Sequence, residues 1–561
     1  MLQRSKVIIK PVLLLFISFF IFITGCKKGG TSDPDPGSIS FGYSSLMVNG
    51  AFSGFDYKGI NRTPIVKIAF SSSVDQTSFT GSVAINDKNM SPVTLIFSTE
   101  KNDSILVIKT ANQLLPLSKY SLNVYTGLKS KAGGSLLSPI TVNLTTAIDS
   151  TNKFATISND ALLELIQKQT FSYFWDFGHP VSGMARERNS SGDVVTTGGT
   201  GFGIMAIPVA IERNFISRTD GLLRIQKMVD FLTTKAVRFH GAYSHWINGS
   251  TGAVVPFSTQ DNGADLVETS YLMMGLLTAR QYFDGTAPNE AKLRDDINKL
   301  WNDVEWDWFR RDGGNVLYWH WSSNYGWAMN MPIRGWNECL ITYVLAASST
   351  IHGVPKTVYD SGFANNGAMK NNNNYLGIEL PLGPAFGGPL FFEHYSFMGI
   401  NPKGLTDTYA DYWKQVVNHS KINYEYCKAN SKGYYGYSDL CWGLTASDIK
   451  DGYTASSPTN DVGVIAPTAA ISSLPYTPTE SMKAIGFFYY QLGDKIWGSY
   501  GFKDAFDLNG IWFADSYLAI DQGPQIVMIE NYRTGLLWKL FMGCPEIKIG
   551  MKNLGFQSPN L

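Results

Sequence analysis

Three carboxylates, Asp261, Asp265 and Glu268, stand at spacings of four and three in residues 257–272, FSTQDNGADLVETSYL. On a helix that spacing places all three on one narrow face. Acids so crowded repel each other unless a ligand, a cation or hydrogen bonds reward the arrangement. They are therefore a candidate sugar-binding or acid/base site. Phe257, Ser258, Thr269, Ser270 and Tyr271 add aromatic and hydroxyl groups beside them. An ordinary helix start fits the same pattern, with Asp261 as N-cap and Asp265 and Glu268 favoured in the first turns by the macrodipole.

Further acids stand at Glu338, after Gly335-Trp336-Asn337, at Asp521, which opens Asp521-Gln-Gly-Pro524, and at Glu530. A pair of carboxyls can protonate a glycosidic oxygen and activate a water, at roughly 6.5–9.5 Å separation for inversion. Each of these acids also reads as a capping or first-turn carboxylate. Capping lowers a carboxyl pKa, which suits a proton donor poorly unless burial offsets it. Sugar rings stack on aromatic faces, and candidate platforms are Trp246, Trp319, His320, Tyr325, Trp327 and Trp442. They are densest in 318–327, YWHWSSNYGW, where His, Ser and Asn interleave with the rings. No CxxC, HExxH, clustered histidines or calcium-loop pattern occurs, so neither a metal site nor a cofactor is expected.

The elements that must position these groups fall into two differently built parts. All 14 tryptophans of the 561-residue chain lie after residue 174. Residues 40–147 hold short period-two runs (65–70, 93–97, 104–109, 120–125, 140–145) separated by turn residues, the pattern of a β-sandwich. Residues 64–75, PIVKIAFSSSVD, resemble the opening strand of bacterial immunoglobulin-like domains. From residue 159 the period becomes 3.6, and helices are predicted over 161–177, 203–213, 218–236, 265–283, 291–304, 338–349, 406–430, 480–492 and 527–541. Long Gly-, Asn- and aromatic-rich loops join them, as at 318–335 and 361–388. Many helices with such loops at one end suggest an α/α toroid with a cleft.

Lysine plus arginine and aspartate plus glutamate both number 46, so no basic surplus exists to hold nucleic acid. At 16%, charged residues fall below the usual 25% or so. Polar recognition must then rest on Ser, Thr, Asn and Tyr, as suits a neutral polyol. Arg4, Lys6 and Lys10 precede an apolar run at 11–23, too short to span a membrane as a helix. Ile23-Thr24-Gly25-Cys26 resembles a bacterial lipobox, which implies cleavage before Cys26 and lipid on its sulfur. A plain secretory signal with a chance cysteine is the alternative. Residues 26–39 then read as a tether. Four later cysteines do not make a disulfide scaffold.

Six ordered motifs resemble the bacterial glucoamylase-like family and its endo-β-1,2-glucanase branch, glycoside hydrolase family 144. They are 197–206 (TGGTGFGIMA), 241–249 (GAYSHWING), 261–269, 331–338 (MPIRGWNE), 442–448 (WGLTASD) and 520–537 (IDQGPQIVMIENYRTGLL). The resemblance implies an (α/α)6 barrel over 155–550, preceded by a signal (1–25), tether (26–39) and Ig-like sandwich (40–147). It implies hydrolysis of β-1,2-glucan or its oligosaccharides with inversion. It places Glu338 as proton donor and Asp521 as the group activating water. Asp261, Asp265, Glu268, Trp246, Trp319, His320, Tyr325, Trp327, Trp442 and Arg533 would bind substrate. The expected protein is a monomeric exported lipoprotein on the outer membrane, periplasm-facing or at the cell surface. An α-glucan hydrolase and a non-catalytic surface glycan-binding lipoprotein are the competing readings.

Overall fold

The computed structural model describes residues 41–561. The signal, tether and Cys26 expectations lie outside the described residues. Nine strands form two sheets in 43–146. One sheet has the order β1 (Tyr43–Val48), β3 (Ile65–Phe70), β7 (Ile105–Thr110), β6 (Leu95–Glu100). The other runs β2 (Asp56–Ile60), β9 (Ile140–Thr146), β8 (Lys119–Val124), β4 (Val83–Asp87), β5 (Pro92–Val93). All pairings are antiparallel except β2 with β9. Alternation sets the core: Val66, Ile68 and Phe70 of β3 are buried while Ile65, Lys67 and Ala69 are not. They pack with Leu106, Ile108, Leu122, Val142 and Leu144.

This β unit is fixed to the helical part by specific contacts. The Ile148 N–H donates to the Tyr435 hydroxyl at 3.1 Å, and Lys58 donates to Asn509 at 2.8 Å. Gly59, with φ +65°, lets the Tyr435 ring lie where a Cβ would sit.

Helices with buried, nearly uniform apolar surfaces alternate with amphipathic ones. α1 (Asn159–Trp175), α3 (Arg218–Thr234) and α5 (Pro288–Asn302) each bury one face. Between them, α2 (Thr197–Glu212), α4 (Leu266–Tyr282) and α6 (Leu340–Ser348) are buried almost throughout. The alternation continues through Tyr412–Ala429 (one face), Pro467–Ser472 (buried), Pro478–Gly486 (one face) and Ala519–Arg533 (buried). α2 and α4 meet backbone to backbone. A Cβ on Gly201 would lie 2.2 Å from the Tyr271 carbonyl, and one on Gly275 2.2 Å from the Gly201 carbonyl. The glycine-rich 197–203 stretch is therefore helical, because glycine is what this approach requires.

The helices differ from expectation in three main places. The predicted 527–541 helix is Ala519–Arg533 plus a separate Leu536–Met542, divided at Gly535 with φ +71°. Pro467–Ser472 and Pro545–Leu554 lie outside every predicted segment. The four cysteines among the described residues are free and buried.

Candidate active site

The three acids come together, although not as a helix face. Asp261 precedes α4 in a tight bend, bridged to Ser258. Asp265 is the N-cap of α4 and accepts from the Val267 and Glu268 N–H groups at 3.0 and 2.9 Å. Glu268 lies in the first turn, and its Oε2 accepts from the Gly198 N–H at the start of α2 at 2.8 Å. The helix-start pattern and the clustering of the three acids are therefore both present.

Two histidines neutralise this cluster. A short ladder pairs Asp265 with His320. His320 Nδ1 then lies 3.3 Å from Asp261 and 3.8 Å from Asp265. His245 directly precedes the strand Trp246–Asn248, whose Trp246 pairs with Thr196. Its Nδ1 sits 3.2 Å from Asp265, its Nε2 3.9 Å from Glu268, and its ring stacks on Phe257. Burial opposes its charge, but Glu268 and Asp265 hold its pKa up at about 9. Burial likewise opposes His320, and Asp265 and Asp261 raise it. Burial would push Asp265 up, yet His320 and His245 keep it below the ordinary carboxylate value. Glu268 is raised, chiefly by burial. Ligand atoms of His245, Asp261 and Asp265 lie within 4.8 Å of one another, a spacing that could hold a cation. A charged His245, its pKa held up at about 9, answers part of the same repulsion.

A cavity of about 440 Å³ opens beside the cluster. Glu268, Glu338, His245, Tyr271, Tyr395 and Tyr453 give it polar groups, and Trp246, Phe257, Trp319 and Phe391 give it aromatic walls. Glu338 sits two residues before α6, held by Ser396, whose hydroxyl donates to the Glu338 carbonyl at 2.5 Å and accepts from the Ile341 N–H. Its carboxyl is enclosed, and burial, with Glu268 and Asp265 nearby, pushes its pKa up to about 7. The buried Tyr271 hydroxyl has no partner in the protein.

Asp521 is in the first turn of Ala519–Arg533, buried behind the cavity wall. Burial and the adjoining Asp504 raise its pKa well above the ordinary carboxylate value. Glu187 and Arg188 also line the cavity, and Arg188 binds Asp448 at 3.1 Å. Asp448 ends the 442–448 motif. Glu187, Arg188, Asp504 and Tyr453 had no local signal, because separate loops bring them together.

Several expected substrate contacts lie elsewhere. Trp442 is fully buried in a second core with Tyr424, and its Nε1–H donates to the Glu480 carbonyl at 3.3 Å. Arg533 ends its helix bound to Gln167 at 2.8 Å and Asp160 at 2.6 Å. Trp327 packs on Tyr318 and Trp308, and Tyr325 is an exposed turn residue; neither lines the cavity. His320 stands behind the acids, not in the wall. Residues 330–545 match the Putative glucoamylase family model, and 55–146 match a bacterial Ig-like domain.

The chain is 42% identical over 462 residues to an exo β-1,2-glucooligosaccharide sophorohydrolase (non-reducing end) of Parabacteroides distasonis. That match covers 77% of this chain, and the chain spans 64% of the curated relative's length. A putative glucoamylase of Bacteroides uniformis is 55% identical, with TM-score 0.72, over 73% of this chain and 100% of its own. An endo-β-1,2-glucanase of Chitinophaga pinensis, solved with sophorotriose and glucose, is 53% identical, with TM-score 0.71, over 72% and 100%. With more than half of the aligned residues identical over the whole length of two solved relatives, the chain belongs to this glucoamylase-like family of glycoside hydrolases, family 144.

Proposed function

We propose that the protein hydrolyses β-1,2-glucan or its oligosaccharides with inversion. The observation that carries this is Glu338: an enclosed carboxyl in an aromatic-walled cavity, with its pKa raised to about 7. A general acid needs its proton at the working pH and must give it up readily, which a pKa near neutrality allows. Glu338 protonates the departing glycosidic oxygen. Asp521, across the Tyr395–Tyr453 wall, receives the proton of the attacking water. Trp246 and Trp319 offer stacking faces, and Glu268 and Tyr271 accept or donate to sugar hydroxyls. Asp261 and Asp265, with their histidines, set the charge of that wall. Relatives acting on β-1,2-linked glucans support the linkage.

The alternation of buried and amphipathic helices supports an (α/α)6 barrel over 155–550, following an Ig-like unit at 40–147. We read residues 1–25 as a lipoprotein signal and 26–39 as a tether from lipidated Cys26. The enzyme is then an outer-membrane lipoprotein, working as a monomer.

The test incubates residues 27–561 with linear β-1,2-glucan and with maltooligosaccharides, resolving products by chromatography. Short products from β-1,2-glucan alone are expected; a single repeated product length indicates exo action, and a spread indicates endo action. Glucose from the α-glucans alone overturns the linkage, and no product from either overturns the activity.

A further inference from the structure

Asp504 and Asp521 lie side by side behind the cavity, 4% and 3% exposed, carboxyl against carboxyl. Asp504 Oδ2 accepts from the Asp448 N–H at 2.7 Å. Asp504 Oδ1 and Asp521 Oδ2 are buried and meet no donor. The neighbouring cation is already engaged: Arg188 binds Glu187 at 2.9 Å and Asp448 at 3.1 Å. Ser516 donates to Asp448 as well, at 2.5 Å. Four carboxyl groups thus face one guanidinium. The remaining groups around the pair are the phenols of Tyr453, beside Asp521, Asp504 and Asp448, and of Tyr395, beside Asp521. Both tyrosines line the cavity.

Two buried carboxylates in contact, each with an oxygen lacking a donor, cannot both stay charged. One proton between them turns repulsion into a hydrogen bond. We propose that Asp504 and Asp521 form one unit holding a single shared proton and one negative charge, with Asp504 positioning Asp521 to take a second proton. This rests on the proposed role of Asp521. In the step, the water oxygen bonds to the anomeric carbon as the glycosidic C–O bond breaks. Glu338 gives its proton to the leaving oxygen, and the water's proton passes to the pair, which goes from one proton to two. One proton then leaves the pair for solvent, and solvent returns one to Glu338. Monoprotonated carboxyl pairs of this kind are known to serve hydrolysis elsewhere.

The test counts charge by capillary electrophoresis of the folded protein at pH 7. The exposed Asp312, whose φ of +59° suits asparagine, gives the one-charge step as Asp312→Asn. Asp504→Asn and Asp521→Asn should each leave mobility unchanged, because the amide takes the place of the shared proton. The double variant should move by one step. A full step for either single variant would mean a doubly charged pair, and no step for the double variant a neutral one; each overturns the proposal. Should Asp504→Asn fail to fold, infrared spectroscopy of Glu338→Gln at pH 8 decides. A protonated-carboxyl band that Asp521→Asn removes supports the shared proton, and its absence refutes it. Kinetically, Asp504→Asn should lower kcat by about 10²-fold with KM nearly unchanged; unchanged kcat refutes the positioning role. If wild-type protein cleaves neither glucan, the activity reading fails while the charge count still decides the pair.

Discussion

Replacing Glu338 by glutamine should weaken the catalyst and strengthen the fold, through the same property. The carboxyl pKa rises from 4.5 to about 7 because the folded site disfavours its charge. A raised acid contributes its full relative stability below the unfolded pKa of 4.5. That contribution falls as pH rises through 7, above which the folded protein carries a constant penalty. At about 1.4 kcal/mol per pH unit the penalty is at most about 3.5 kcal/mol, and partial solvent access reduces it. Glu338→Gln keeps the shape and removes the charge. Urea unfolding at pH 8 should show the variant more stable by about 1–3 kcal/mol, and at pH 4 nearly equal to wild type. Hydrolysis of β-1,2-glucan should fall about 10²–10⁴-fold, as expected on losing a general acid. In the wild type, activity should decline above pH 7 as the proton is lost, and that limb should vanish in the variant. The fall should also shrink with a glycosyl fluoride, whose leaving group needs less proton assistance. Unchanged hydrolysis would refute the assignment of Glu338. Equal stabilities at pH 8 would refute the account of its environment.

Other perturbations test the surroundings. His245, held up at about 9, contributes stability that is fully present below its ordinary 6.5 and lost as pH rises through 9; Asp265→Asn should flatten that decline in thermal melts between pH 6 and 10, and an unchanged slope refutes the pairing. Gly201→Ala should destabilise by about 1–3 kcal/mol or more, because its Cβ meets the Tyr271 carbonyl, and should impair hydrolysis as α4 shifts; a neutral result in calorimetry counts against the close packing. Tyr435→Ala should loosen the β unit and speed limited proteolysis near residue 150, with glucan hydrolysis retained; an unchanged digestion pattern would show that other contacts suffice.

Much of this architecture is legible in the chain because it rests on local periodicity. The 3.6-residue spacing of α1, α3 and α5 and the alternation of β3 follow directly from one buried face. Legibility fails where glycine and proline serve packing instead of turns. Residues 197–202 and 519–526 fall outside the predicted helices, yet both are helical, because the Tyr271 backbone closes on Gly201 and the Phe202 side chain closes on Gly523. The acids at 261, 265, 268 and 338 could be found because chemistry crowded them into short motifs. Arg188, Asp504 and Tyr453 could not, since their meeting depends on three distant loops. Trp442 and Arg533 show the converse: a residue inside a site-bearing motif can serve the core or a helix end instead.

The glycine contact between α2 and α4 also bears on how such a protein can change over generations. Glu268 is anchored to the first turn of α2 by the Gly198 N–H, and one turn on the two helices touch through bare backbone. At Gly201 and Gly275 no side chain lies between the two backbones, so none can shrink or grow there; the Phe202 and Tyr271 rings meet beside the contact. Drift in substrate preference is therefore channelled into the hairpins that supply Trp246 and Tyr453, whose residues can be exchanged without disturbing that contact. The contact thus fixes where Glu268 stands relative to α2 and leaves the hairpins as the adjustable part of the cavity wall.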